Sequence, residues 1–294
     1  MFGVGLGLRR KAKPGGSGGG GGGLPSEAFL LLRALAPNLN SLSTGAGSAP
    51  AVTGDPVGLW TDTGGGGRDF SQASAGARGS FLESSPPAEP SAVRFAAASN
   101  QRLTRSTTSP VSGPSTWGLK YRLSSLPGSG VFMAPVRLAA GGSRVNEIYF
   151  CNSGGYQPVH WRLDFSNGAG NGVGLATPLD TDWHTLLIVY DGVSNTNPSS
   201  YTAYLDGVAT AVVASGNNSG VSSSVSSVGA ADVLGTPSYP FNGDLALVSV
   251  YERALSAGEI ATWHAAAVIP SSHVLQEDGF YLLTEDGERL HQED

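Results

Sequence analysis

The segment FNGDLALVSVYERALSAGEIATWH, Phe241 to His264, constrains the fold more than any other part of the chain. Leu245, Leu247 and Tyr251 alternate with Ala246, Val248 and Val250, so a strand here is apolar on both faces and must be covered on both. Ser256 and Glu259 then stand in the S-x-x-E relation of a capping box, in which each side chain satisfies a backbone N–H that the first helical turn leaves free. Ile260, Trp263 and Ala267 follow at helical spacing and give the predicted helix one apolar face. Asn242-Gly243, ahead of the strand, is a turn signal.

From about Pro50 to Ala267 the rhythm is β throughout. Apolar runs are separated by turn-forming clusters such as SSPPAEP, LPGSG, NGAGNG, GVSNTNPSS and SGNNSG. The 43 glycines suit many short strands joined by tight turns, and no helical periodicity longer than the capped segment is present. WHTLLIVYDG, beginning at Trp183-His184, and YTAYLDGVATAVV, Tyr201 to Val213, read as strands, with Asp206-Gly207 as a two-residue hairpin turn. The fold class expected is all-β, a two-sheet antiparallel jelly-roll sandwich with one short capped helix near its C-terminal end.

These motifs resemble the laminin G-like, concanavalin A-like jelly-roll domains. The strand followed by Y-x-R-A-L-S-x-x-E-I is similar to the segment that closes such domains. GDPVGLWTDTGGGGRDFSQASAGARGSFLE (Gly54 to Glu83) and AVRFAAASNQRL (Ala92 to Leu103) are similar to the opening strands of the version found in tailed-phage and prophage virion proteins. The resemblance covers roughly residues 37 to 268. It implies a non-enzymatic structural protein at a virion surface, such as a head fibre, capsid decoration or tail component, assembled in the host cytoplasm. Because one fold carries many functions, a stand-alone lectin-like adhesin and a polysaccharide-degrading enzyme are the alternatives.

Charge divides the chain further. Residues 1–23 form a basic arm in which Arg9, Arg10, Lys11 and Lys13 precede a run dominated by glycine. Such an arm is either a flexible linker or an anchor ordered only against a partner, and particle docking is assigned to those four cations. Its apolar residues precede the basic ones, which is not the order of a secretion signal. Residues 24–50 contain EAFLLLRALAP, read as a short lead-in helix or strand at the base of the β domain, which itself spans 51–268. Residues 269–294 repeat at eight residues: Glu277-Asp278, Glu285-Asp286 and Glu293-Asp294 recur in step. They are expected to form a small acidic β meander that leans on the sandwich, on a sister copy or on other virion proteins. Beyond the short basic start there is no nucleic-acid footprint, and no segment has the length and apolarity of a membrane span.

Chemistry has few footholds. The acids of the β domain are scattered and mostly at turns (Asp191, Asp206, Asp232), without the E-x-D-x-E strand that places two carboxylates on one face in glucanases of this fold. The five histidines do not cluster, and Cys151, the one cysteine, is expected to sit inert in the strand EIYFC. No catalytic residue is assigned. For glycan binding, CNSGGYQPVHWRLDFSNGAGNG supplies Asn152, Tyr156, Trp161, Asp164 and Asn167, although Trp161 and Phe165 share a strand parity that also fits a core. The resemblance further implies calcium as the one cofactor to consider, held by carboxylate oxygens, with Asp180 and Asp182 as the candidate pair. The partners implied are other virion proteins, host surface polysaccharide and further copies of the chain.

Overall fold

The structure, a computed structural model, describes residues 24–64, 66–83, 89–106, 113–139, 145–163, 170–218, 225–233 and 236–268. The basic arm with Arg9, Arg10, Lys11 and Lys13, and the acidic tail after residue 268, lie outside the described residues.

Two antiparallel sheets face each other across the expected apolar core. The first runs Val208–Thr210, Tyr201–Leu205, Trp183–Tyr190, Ser115–Leu123, Gly243–Tyr251, Ala92–Phe95, Gly79–Leu82, Pro56–Val57. The second runs Val212–Asn218, Gly170–Leu175, Val159–Leu163, Val145–Asn152, Val131–Ala139, Val225–Val228, Leu103–Ser106, Phe70–Ser71, Leu59–Trp60, Leu39–Asn40. Trp60, Trp117, Trp161, Phe95, Phe150 and Phe241 are fully buried between them. At about 1.5–3 kcal/mol for each large apolar side chain buried, this interlayer supplies most of the driving force.

Strand Gly243–Tyr251 is buried at all nine positions, as its sequence requires. A bulge between Leu245 and Leu247 lets Leu245 and Val248 both face the interlayer, while Leu247 and Tyr251 point out. Its first residues pair with Ala92–Phe95, and its later ones pair on that same edge with Leu30–Arg33, Leu30 facing Val250. The lead-in at 24–50 is therefore part of the sandwich rather than a base beneath it: Leu30, Leu32 and Leu39 sit in the core. Asp62 holds this first strand in place by accepting the N–H groups of Leu31 (2.9 Å), Gly64 (2.8 Å) and Arg68 (2.9 Å). Arg68 in turn lies over the Phe29 ring and donates to its carbonyl.

The outer face of the first sheet is closed by helix Ala257–Val268. Its capping box is formed: Ser256 donates its N–H to Glu259 Oε2 (2.9 Å), and Ser256 Oγ accepts from Glu259 N–H (3.4 Å). Arg253 adds a second clamp on Glu259, and together these bonds hold its carboxyl down at about 2. Ile260, Trp263 and Ala267 are the buried face. The Trp263 indole donates to Ser249 Oγ (2.9 Å) and lies directly over Gly118, where a Cβ would come within 2.4 Å of the ring. Beside the helix, Asp244 is fully buried and gripped by Arg94 and Arg122, its cross-strand neighbours on either side. The Asn242-Gly243 signal makes no hairpin: Asn242 accepts from Ser124 and Gly243 begins the strand.

The slot over Gly118 generates a prediction. Gly118→Ala should destabilise the protein by about 1–3 kcal/mol, because an added methyl overpacks the indole and levers the helix off the sheet. Urea unfolding checks this; a midpoint equal to that of the unsubstituted chain would refute the slot.

Candidate functional site

The second sheet has no helix over it among the described residues, and its outer face collects aromatic side chains. Alternation decides which ones. Ile148 and Phe150 point into the core, so Tyr149 points out; Trp161 points in, so His160 points out. A bulge between Met133 and Val136 lets both enter the core and leaves Phe132 on the outer side.

Phe132 is the hub. It meets Tyr149 at 5.9 Å and 79°, Tyr156 at 4.9 Å and 89°, and Tyr239 at 5.7 Å and 61°, the edge-to-face spacing that aromatic quadrupoles prefer. Tyr149 is the buried floor; Phe132, Tyr156 and Tyr239 are half-buried around it. Tyr239 has φ +52, a left-handed conformation that a bulky residue adopts at a cost of about 1–3 kcal/mol. It is held there by its carbonyl, which accepts from Ala134 N–H (2.8 Å), and by the short ladder Ala231–Val233 against Thr236–Ser238. His160 completes the wall: its Nδ1 lies 2.8 Å from Ser215 Oγ, which also accepts from Gln157 N–H. Gly172 leaves room for the imidazole, since a Cβ there would be 1.8 Å from its Cε1.

Deeper on the same face, Arg137 and Glu147 are cross-strand partners, both almost completely buried, with Nε and Oε2 3.5 Å apart. Glu147 is the single acid in the strands of this sheet. Burial, and next the nearby Glu147, push the Tyr149 hydroxyl well above its ordinary pKa, so the floor of the patch stays neutral.

The residues proposed from sequence do not form one site. Tyr156 joins the aromatic patch. Trp161 does not: it is fully buried, packed edge-on to Tyr201 at 5.9 Å, because its parity turns it into the interlayer. Asn152 lies at the rim, beside a cavity of about 180 Å³ shared with Leu126, Pro127, Cys151, Pro158 and Leu179. Cys151 is buried, its Sγ 2.9 Å from the Gln157 carbonyl oxygen, and burial raises its thiol to about 11. Asp164 and Asn167 lie outside the described residues. Phe132, Tyr149, His160 and Tyr239 were not singled out from sequence; the parity of EIYFC and VHWRL was the available signal for the middle two.

Asp180 and Asp182 sit ahead of strand Trp183–Tyr190, with Asp182 donating its N–H to Asp180 Oδ1 (2.7 Å). Asp180 also meets His184 Nε2 at 2.7 Å, and Asp206, in the left-handed first position of the predicted Asp206-Gly207 turn, meets Nδ1 at 2.7 Å. Among the described residues no group of three His, Cys, Asp or Glu side chains is arranged to hold a metal ion.

A family model described as the concanavalin A-like lectin/glucanases superfamily matches residues 95–261. The chain belongs to that superfamily. Among curated proteins no sequence matches it. Solved structures similar to this lectin/glucanase-type sandwich include the Ruminococcus gnavus IT-sialidase CBM40 bound to alpha2,3 sialyllactose, at 18% identity and a TM-score of 0.35, over 52% of this chain and 83% of that one. The NanB sialidase from Streptococcus pneumoniae is similar at 15% identity and a TM-score of 0.42, over 58% of this chain and 27% of that one. The binding domain of Paraclostridial Mosquitocidal Protein 1 is similar at 14% identity and a TM-score of 0.46, over 70% and 49%. These likenesses are of fold alone. No helix among the described residues is long and apolar enough to cross a membrane.

The His184 clamp gives this superfamily member a specific pH dependence. The bond to Asp206, and after it that to Asp180, outweigh partial burial and raise the imidazole to about 9. Asp180 is lowered by the Asp182 N–H and then by His184; Asp206 is lowered by His184 and Thr185 N–H despite its burial. A raised histidine stabilises fully below its unfolded pKa of about 6.5 and loses that contribution as pH rises through about 9. The two carboxylates are half-exposed, so screening leaves about 1 kcal/mol. Tm should therefore decline between pH 7 and 9.5, and His184→Gln should flatten that decline. Parallel pH profiles for the two proteins would contradict the clamp.

Proposed function

We propose that the chain is a non-enzymatic adhesion protein of a phage-like particle, with the outer face of its second sheet as a glycan-binding surface. The observation that carries this reading is the half-buried aromatic patch of Phe132, Tyr156 and Tyr239, set on a rigid floor and flanked by His160. A pyranose ring has C–H faces that lie against aromatic rings and hydroxyls that need a few fixed polar partners. Apolar walls with sparse, oriented polar groups are the general form of such sites. Holding Tyr239 in an unfavourable backbone conformation pre-forms the wall, so less ordering is required on binding.

Catalysis is not supported on this face. Glycoside hydrolysis requires two carboxylates flanking the scissile bond, roughly 5–9.5 Å apart. The strands here carry only Glu147, which is committed to Arg137. The particle assignment is supported by the resemblance of residues 54–83 to virion domains and by the opposite charges of arm and tail.

Titration calorimetry against a panel of bacterial surface polysaccharides tests the adhesive role. Tyr156→Ala and Tyr239→Ala should each weaken binding about tenfold, a loss of about 1.4 kcal/mol, while leaving the unfolding transition cooperative. Affinities untouched by both changes, or release of reducing ends from the polysaccharide, would defeat the reading. For the particle role, deleting residues 1–23 should leave a folded sandwich that no longer copurifies with particles. Full incorporation of the shortened chain would reduce the arm to a spacer.

A further inference from the structure

Two cations share one small cavity on the outer face of the first sheet, beside the last turn of helix Ala257–Val268. Strand register puts them there: Arg33 faces Leu247 across one ladder, and Lys120 faces the same Leu247 across the other. Their backbones are thus two strand spacings apart, roughly 10 Å. Both side chains line the cavity over Leu247, together with Leu24, Leu35 and Ala267. Lys120 is 8% exposed and donates from Nζ to the Ala267 carbonyl at 2.6 Å; Arg33 is half-buried. Desolvation lowers the pKa of both.

The neighbouring acids are committed elsewhere. In the adjacent row of the same face Asp244 is gripped by Arg94 and Arg122, and Glu89 pairs with Arg122. Among the described residues neither Arg33 nor Lys120 is paired with a carboxylate. The helix C-terminus offers only about half a negative charge, so a net positive charge remains in a site partly withdrawn from water. A charge in such a place is costly until it is paired. At about 40 Å³ the cavity exceeds the roughly 10–15 Å³ that one water needs, yet it is too small for a sugar ring. The donors suit an oxyanion: a guanidinium fork takes oxygens side by side, and an ammonium bonded to one carbonyl keeps further N–H groups free. We propose that this cavity is an oxyanion-binding site, in which Arg33 and Lys120 hold one carboxylate or phosphate group above Leu247. It lies on the side of the sandwich opposite the aromatic patch, so its occupancy does not depend on glycan binding there.

Titration of inorganic phosphate into the full chain, isotope-labelled at its lysines and followed by NMR, tests the site. The lysines are Lys11, Lys13 and Lys120, and the signal lost in Lys120→Arg assigns the third. At constant ionic strength the Lys120 side-chain signal should move to a plateau. Arg33→Met should weaken that response about tenfold, as loss of a charge-assisted hydrogen bond predicts, and Arg33→Lys should restore part of it. Methyl glucuronide separates the sources. A plateau with the glucuronide as well as with phosphate admits the carboxylate of a sugar acid, whereas a plateau with phosphate alone assigns the free ion. Neutral methyl glucoside should leave the signal in place. A Lys120 signal that phosphate does not move in the unsubstituted chain overturns the proposal, whether or not Arg33→Met folds. A response that never saturates, or is the same in Arg33→Met, overturns it too.

Discussion

Strand Gly243–Tyr251 is hydrogen-bonded along both edges and covered on both faces, and the remaining architecture follows from keeping it that way. One edge takes Ser115–Leu123; the other is shared end to end by Ala92–Phe95 and Leu30–Arg33. Its inner face meets the second sheet and its outer face meets the capped helix. A strand with no wet face and no free edge tolerates polar groups only when each has a partner. Ser249 is matched by the Trp263 indole, and Asp244 by two arginines.

The two outer faces of the sandwich are treated differently, and this separates scaffold from site. The helix seals one with a large indole and leaves a charged ladder beside it. The other carries a buried ion pair and a cluster of aromatic rings whose rims meet solvent. Burying Arg137 with Glu147 contributes little net stability, because desolvation offsets most of the attraction. The pair does occupy Glu147, the one acid in the strands of that sheet. The patch exposes the rims of Phe132, Tyr156 and Tyr239, with His160 fully buried behind Tyr156 against Ser215.

Features that depend on neighbours in sequence were legible before any coordinates: the capping box at Ser256 and Glu259, the Asp206-Gly207 turn, the doubly buried strand and the helix face of Ile260, Trp263 and Ala267. All follow from spacing alone. The candidate site was legible only in Tyr156. Phe132, Tyr149, His160 and Tyr239 come from four separate stretches and are gathered by strand order, and Tyr239 is aimed by a backbone conformation that its residue type disfavours. Trp161 misled for a related reason: a tryptophan beside a loop suits a platform or a core equally, and only the pairing of Trp161 with Ile148 decides. The lead-in at 24–50 reads as a short helix or strand at the base of the β domain because nothing in its spacing shows that Leu30–Arg33 pairs with Gly243–Tyr251.

That distant pairing has a consequence for how the molecule comes into being. Leu30 faces Val250, so strand Leu30–Arg33 cannot complete its ladder until residues 247–250 have been translated, although Asp62 and Arg68 reach it earlier. Folds dominated by contacts this remote acquire their native state slowly. Until that ladder closes, Leu30 and Leu32 lack their partners in the core, and closing the sandwich becomes a late event rather than a gradual accretion.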